Sequence, residues 1–291
     1  MKVSVVIPIH NEEENIKPLY KELKEVLESL GTDYEIVYVN DGSTDGSLRI
    51  LKELKERDGR VRVINMDRNR GEAVALTVGF KCARGDVIVT MDGDGQNDPR
   101  FIPRLLEKLE EGYSVVSGRR VDRKEPLLTR RLPSAIGNRL ISLITGVKVR
   151  DVGCGLKAYR AHIPKRVNIP PGFHRFLPAV LGVKDGEVAE VDVVDRPRLH
   201  GSSHYNLKRT FEVLRELVTF PFVVGSPAQG VKTLRIALIS YLFLFLVAVF
   251  GGCLASLLFS ALFAAVSWVA YRNAKRFLRF QEEPDFSYQE V

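Results

Sequence analysis

Cysteine is scarce in this chain: Cys82, Cys154 and Cys253 are the only three in 291 residues. An odd number at scattered positions excludes a disulfide framework and a thiolate metal cage, and points to a reduced, cytosolic main domain. The five histidines show no zinc spacing. His200 and His204 stand four apart, but in a polar, loop-like stretch that we read as serving a non-metal role. No G-x-G-x-x-G follows the first strand pattern, so the usual dinucleotide fingerprint is missing. The N-terminus runs straight into that strand pattern, with no signal-peptide signature. Charge is absent from Ile236 to Tyr271, which contain no Asp, Glu, Lys, Arg or His. That gap is long enough for one or two membrane spans. Elsewhere charge is plentiful, with 43 Lys and Arg against 36 Asp and Glu and a net charge of +7. Such an excess suits nucleic acid, an anionic membrane surface or a phosphorylated substrate. The apolar gap favours the last two, and no nucleic-acid partner is expected.

What is present alternates. Apolar, β-branched runs predict strands over 2–9, 34–39, 61–65, 86–91 and 113–117. Between them, helical spacing predicts helices up to 30, over 46–57, over 72–83 and from 99 to 112, the first capped by Asn11. Strands alternating with helices make right-handed βαβ units, so the expected fold is α/β with a mostly parallel, Rossmann-like sheet. Ligands of such sheets bind outside the carboxyl ends of the strands. Polar clusters follow three of those ends, around Glu12, around Asp41 and at Asp92-Gly-Asp-Gly-Gln96.

The third cluster has a chemistry of its own. Residues i and i+2 of an extended chain face the same way, so Asp92 and Asp94 leave the end of a buried strand side by side. Like charges that close shift each other's pKa values unless a cation lies between them. A hard divalent ion, Mg²⁺ or Mn²⁺, sharing its shell with a phosphate, is the natural partner. An isolated Asp-x-Asp is also consistent with an ordinary solvated turn. The convergence of three strand ends argues for a site.

Val5-Val-Ile-Pro-Ile-His-Asn-Glu12, Val39-Asn-Asp-Gly-Ser-Thr-Asp45, Asn69-Arg-Gly71 and Met91-Asp-Gly-Asp-Gly-Gln96 resemble, in order and spacing, family 2 glycosyltransferases of the GT-A fold. Gly118-Arg-Arg120, Asp151 to Arg160 and Arg198 to Tyr205 resemble the polyprenyl-phosphate branch of that family. This branch includes dolichol-phosphate mannose synthases, undecaprenyl-phosphate glucosyltransferases and aminoarabinose-type transferases. The resemblance implies a membrane-bound inverting enzyme that moves a hexose from a UDP- or GDP-linked sugar to dolichyl or undecaprenyl phosphate. It implies that Pro8, Asn11, Glu12, Asp41, Arg70, Asp92 and Gly93 bind the nucleotide sugar, and that Asp92, Asp94 and Gln96 hold the metal.

The run from Arg119 to Arg131 is strongly basic, and Arg forks suit phosphate oxygens. Arg120 and Arg131 are the expected phosphate contacts, with Arg130 as the adjacent rival and Ser134 beside them. Residues 122–129 between them read as a loop able to close over the donor. Asp151 is the candidate carboxylate at the acceptor, with proton abstraction left open because a lipid monophosphate is mostly ionised at neutral pH. A turn in which Asp151 caps its own backbone remains the alternative. Arg198, Ser203, His204 and Tyr205 fall in a loop that in this branch covers the donor pyrophosphate and acceptor phosphate. Glu72, Gly95 and Arg100 depart from the residues more usual in the family.

The expected organisation is a GT-A catalytic domain over 1–205, an amphipathic juxtamembrane segment over 206–230, two transmembrane helices over 231–272 and a tail over 273–291. The basic and apolar pattern of 206–222 suits an interfacial helix, or equally one packed on the sheet. The apolar runs over 233–250 and 253–271 carry basic residues at both outer ends, which predicts a hairpin with both termini cytoplasmic. A hairpin that stops short of crossing is the alternative. The tail from Gln281 reads as disordered. The resemblance leaves room for a homo-oligomer formed through the membrane helices. Without Q-x-x-R-W, and with so few spans, a processive synthase is not expected. The principal competing reading is a catalytically inactive GT-A module serving as a membrane-bound partner or regulator; a transferase with a soluble acceptor is a third.

Overall fold

The computed structural model describes residues 1–121, 139, 141–143, 145–197, 207–223, 226–251, 254–284 and 286–291. These residues divide into two units. One comprises residues 1–204 together with 285–291, and the other residues 205–284.

The first unit is built on a sheet whose central strands are β1 (Lys2–Ile9), β2 (Asp33–Asn40), β3 (Val61–Met66) and β4 (Val87–Thr90). These strands are apolar on both faces because helices cover both. β5 (Val115–Arg120), β6 (Lys157–Arg160), β7 (Val188–Val193) and β8 (Tyr288–Glu290) complete it in the order β7-β5-β6-β4-β1-β2-β3-β8. β1 pairs parallel with β2 and β4, β2 with β3, and β5 with β7. β6 runs antiparallel to both β4 and β5, and β8 antiparallel to β3. Six strands therefore point one way, and their carboxyl ends lie along one edge.

The helices follow from their apolar spacing. α1 (Glu13–Ser29) buries Ile16, Leu19, Leu23 and Leu27, a single stripe, against the sheet. α2 (Ser47–Arg57) buries Ile50, Leu51 and Leu54. α3 (Glu72–Cys82) is buried continuously from Ala73 to Phe80. It seats flush because Gly79 has no side chain: a Cβ there would lie 2.3 Å from Val6 Cγ1. A 3₁₀ turn at Pro99–Phe101, capped by Asp98, leads into α4 (Ile102–Glu110).

Two expectations are corrected, and one strand is new. Asn11 does not cap α1. It sits at φ 57, and Glu12 is the residue that precedes the helix. Its side-chain oxygen instead accepts the Thr44 amide at 2.8 Å, tying the first loop to the second. β7, which was not anticipated, forms an edge of the sheet beside β5. The tail is not disordered from Gln281: the preceding helix runs to Glu282, and Tyr288–Glu290 form β8. The loop expected over 122–129 lies outside the described residues.

The second unit comprises α5 (Leu207–Val223), α6 (Pro227–Gly251) and α7 (Leu254–Glu282). α6 and α7 are long and apolar enough to cross a membrane. Large apolar side chains point outward from them, with Phe243 65% and Phe250 90% exposed. α7 buries Ser260, Ala264, Ser267, Ala270 and Ala274, a small-residue stripe of the kind that lets helices approach in lipid. Asn273 donates to Thr219 Oγ1 at 3.1 Å, a polar tie between α7 and α5.

Candidate active site

The carboxyl edge of the sheet gathers the described residues that follow β1, β2, β3, β4 and β7, with the end of β5 beside them. Asp41, just beyond β2, is 3% exposed, and both of its oxygens are engaged. Oδ1 accepts the Arg70 amide at 2.7 Å and Oδ2 the Gly71 amide at 2.8 Å. Burial raises its carboxyl above the usual range, and these two amides pull the other way. Gly42 makes the approach feasible, since a Cβ at its φ of +61 would meet Asn69 N at 2.3 Å. His10 bridges the same loops. Its Nδ1 lies 2.9 Å from the Asp41 carbonyl and its Nε2 2.8 Å from Asn69 Nδ2. A carbonyl only accepts and an amide nitrogen only donates, so the imidazole carries its proton on Nδ1. Arg70 turns its guanidinium back onto Asp67, with Nη2 3.0 Å from Oδ2. Glu12 donates its amide to Ser47 Oγ and accepts from Asn15 Nδ2.

The acidic turn follows β4. Gly93 packs against the end of β1, where a Cβ would lie 2.5 Å from Ile9 Cδ1 and 3.0 Å from Pro8 O. The Asp92 carboxylate rests on Gly155, whose added Cβ would lie 2.2 Å from Oδ1. Burial first, and then the charges of Glu72, Asp94 and Asp195, push the Asp92 carboxyl up to about 8 against the opposing pull of Lys157. The Asp92 amide donates to Asn97 Oδ1 at 2.9 Å, and Asp94 Oδ1 accepts the Gln96 amide at 3.1 Å. Gln96 O accepts the Arg196 amide at 2.8 Å, which binds this turn to the chain leaving β7.

Among the described residues no group of three or more His, Cys, Asp and Glu side chains forms a ready-made metal cage. The pair Asp92 and Asp94 nevertheless fits a hard divalent cation. It offers carboxylate oxygens only, in a surplus of negative charge, with the Asp92 carboxylate seated against the bare main chain of Gly155.

Arg120 and Asp151 meet in a two-pronged ion pair, Nε to Oδ2 at 2.7 Å and Nη2 to Oδ1 at 2.9 Å. The Arg120 amide also donates to Asp151. The third guanidinium nitrogen lies 3.5 Å from Asp195. Arg119 turns away and binds Asp192 on β7.

Of the expected site residues, Pro8, Asn11, Glu12, Asp41, Arg70, Asp92, Gly93, Asp94, Gln96, Arg120 and Asp151 all lie in the loops and strand ends just described. Arg130, Arg131, Ser134, Arg198, Ser203, His204 and Tyr205 lie outside the described residues. Sequence reasoning missed Asn97, Gly155, Lys157, Asp195 and His174. Lys157 is 3% exposed and donates to the Val152 and Cys154 carbonyls, which places a buried cation near Asp92. His174 Nε2 stands 3.6 Å from Glu72 Oε2, and Glu72 in turn bears on Asp92. A polar residue immediately after an alternating strand was the available signal for Asp195.

Solved structures share this fold. Glucosyl-3-phosphoglycerate synthase from Mycobacterium tuberculosis, in complex with Mn²⁺, UDP-glucose and phosphoglyceric acid, superposes with a TM-score of 0.57 at 19% identity, covering 76% of this chain and 78% of that one. Mannosyl-3-phosphoglycerate synthase from Rubrobacter xylanophilus gives 0.57 at 17% identity, over 74% of this chain and 72% of that one. Sequence relatives are nearer. Dodecaprenyl-phosphate galacturonate synthase of Rhizobium johnstonii is 38% identical over 256 residues, 83% of this chain and 76% of that protein. Undecaprenyl-phosphate 4-deoxy-4-formamido-L-arabinose transferase of Edwardsiella ictaluri is 36% identical over 242 residues, 83% of this chain and 74% of that protein. The model of glycosyl transferase family 2 matches residues 4–166. With its acidic turn at the carboxyl edge of a GT-A sheet and relatives that are polyprenyl-phosphate sugar transferases, this chain belongs to glycosyl transferase family 2.

Proposed function

We propose that the protein transfers a sugar from a nucleotide sugar to a polyprenyl phosphate at a membrane surface, with inversion at the anomeric carbon. The proposal rests on the Asp92-Gly-Asp94 turn. Its crowded carboxylates call for a cation, and it adjoins the Asp41-pinned loops that suit a nucleotide. Relatives named for dodecaprenyl- and undecaprenyl-phosphate products support the lipid acceptor.

Asp41, Asn11 and the main chain of 69–71 form the nucleotide wall. Asp92 and Asp94 would hold Mg²⁺ or Mn²⁺. The bound ion would supply electrostatic stabilisation of the diphosphate leaving group. An oxygen of the anionic lipid phosphate attacks the anomeric carbon as the bond from that carbon to the diphosphate breaks, giving lipid-phosphate sugar and a nucleoside diphosphate. Such an oxygen needs no base, because a phosphate monoester is mostly ionised at neutral pH. That frees Asp151 to orient Arg120, which with Asp195 nearby borders the phosphate side of the site.

The two long helices suit a membrane hairpin. Lys232 and Arg235 in the first turns of α6, and Arg272, Lys275, Arg276 and Arg279 toward the end of α7, support the cytoplasmic side.

The test is a panel of UDP- and GDP-linked sugars, offered with undecaprenyl and dolichyl phosphate, and a chromatographic assay of the lipid product. A product from one donor, lost on chelation and restored by Mn²⁺ or Mg²⁺, is expected. Turnover with none of them, by protein that binds nucleotide, would sink the enzymatic reading in favour of an inactive partner module.

A further inference from the structure

We infer that residues 286–291 position the nucleotide pocket, through β8 and the loop that leaves β3. This rests on the assignment of the Asp41 loops to the nucleotide. β8 lies against β3 with Ile64 opposite Glu290, Asn65 opposite Gln289 and Met66 opposite Tyr288. Immediately past β3, the Asp67 amide donates to Ser287 O at 3.3 Å. Asp67 in turn holds the Arg70 guanidinium, at 3.4 Å from Nε and 3.0 Å from Nη2. The amides of Arg70 and Gly71 then clasp Asp41. A continuous series of hydrogen bonds thus runs from Ser287 to the carboxylate at the base of the pocket.

A three-residue strand of Tyr, Gln and Glu has little intrinsic hold on a sheet edge. Here the hold is specific. Glu290 takes both prongs of Arg62, Nε at 2.8 Å and Nη2 at 2.7 Å, while the third nitrogen of Arg62 binds Glu35 and the Cys82 carbonyl. Val291 donates to Val63 O at 3.0 Å, packs against the core, and receives Lys55 Nζ on its main-chain oxygen at 2.6 Å. Lys81 stands over the Phe286 ring. A cover that merely blunted an edge strand would need none of the ties to Asp67. Because the pocket loop and β8 share hydrogen-bonded neighbours, occupancy of one stabilises the other, and the coupling is reciprocal.

The experiment compares the full chain with a variant ending at Pro284, both purified in detergent, in three measurements: UDP and GDP titration, hydrogen exchange over 64–71, and kinetics in the nucleotide sugar and in the lipid. A synthetic peptide of residues 284–291 is then added back. The variant is expected to bind nucleotide and donor roughly three- to tenfold more weakly, with kcat within about twofold and the lipid KM unchanged. Its amides at 67–71 exchange faster, and the peptide restores both. Glu290→Gln shifts donor KM the same way by less. Unaltered exchange at 67–71 with unaltered nucleotide affinity overturns the inference. So does a proportional loss of every parameter without peptide rescue, which marks a folding defect. If the full chain binds no nucleotide and transfers no sugar, the functional assignment fails, while exchange at 67–71 still reports the link to β8.

Discussion

The guanidinium of Arg120 closes on the carboxylate of Asp151 with two hydrogen bonds, at 2.7 and 2.9 Å, and Asp151 is only 3% exposed. A carboxylate held this way orients a cation better than it abstracts a proton. Removing one partner of a buried pair leaves the other uncompensated. Asp151→Ala should therefore cost about 3 kcal/mol of stability together with activity, read as a fall in melting temperature. Asp195→Asn, whose side chain is 22% exposed, should cost less stability. An Asp151→Ala protein with native melting temperature and only kcat abolished would favour a catalytic base instead.

Asp92 supplies a pH test. In the metal-free protein its carboxyl is raised from 3.8 to about 8. Between those values the folded state holds more protons than the unfolded state, so stability falls as pH rises through that window. A bound divalent cation cancels the repulsion. The gain in melting temperature on adding Mn²⁺ should grow from about pH 6 to about pH 8, and Asp92→Asn should abolish both that gain and transfer. A metal-induced shift independent of pH would count against Asp92 as a ligand.

Gly155 offers a steric probe of the same carboxylate. Gly155→Ala would drive a methyl to 2.2 Å from Asp92 Oδ1. Gly186→Ala meets nothing within 4 Å and serves as a control. The first should lower kcat/KM by about 10-fold or more and the second should leave it intact, as steady-state kinetics at saturating Mn²⁺ will check. Equal effects would remove the case for a tight fit at Asp92.

Asp41→Asn tests the nucleotide wall. The substituted amide presents a donor to one of two main-chain amides that now meet acceptors. A stranded buried donor costs about 1–3 kcal/mol, so nucleoside diphosphate affinity should fall by roughly 10-fold or more in calorimetric titration. Undiminished affinity would place the nucleotide elsewhere.

Much of this was legible in the sequence, and the reasons are local. β1 to β4 are runs of Val, Ile and Tyr bounded by polar turns, so their existence and the convergence of their carboxyl ends could be read directly. Asp92 and Asp94 stood out because a buried strand delivered them. β7 was missed because Glu190 and Asp192 interrupt its apolar run, although its alternation of buried Ala189, Val191 and Val193 carried a period of two. Asp195 and Asn97 could not be seen as partners from spacing: they meet across 98 residues of sequence. Likewise the Arg120–Asp151 pairing depends on how the segment leading into β6 folds back, which no local pattern encodes. β8 is too short and polar to announce itself.

The position of β8 in the chain also bears on biogenesis. It is translated only after both long apolar helices have been synthesised. Until then β3 stands as an open edge, with Arg62 lacking Glu290 and the Asp67 amide lacking its acceptor. An unpaired edge is a hazard for aggregation. Completion of the sheet therefore waits on synthesis of both long apolar helices, and a chain stalled or cleaved after them would display an unfinished edge that quality-control proteases could sense.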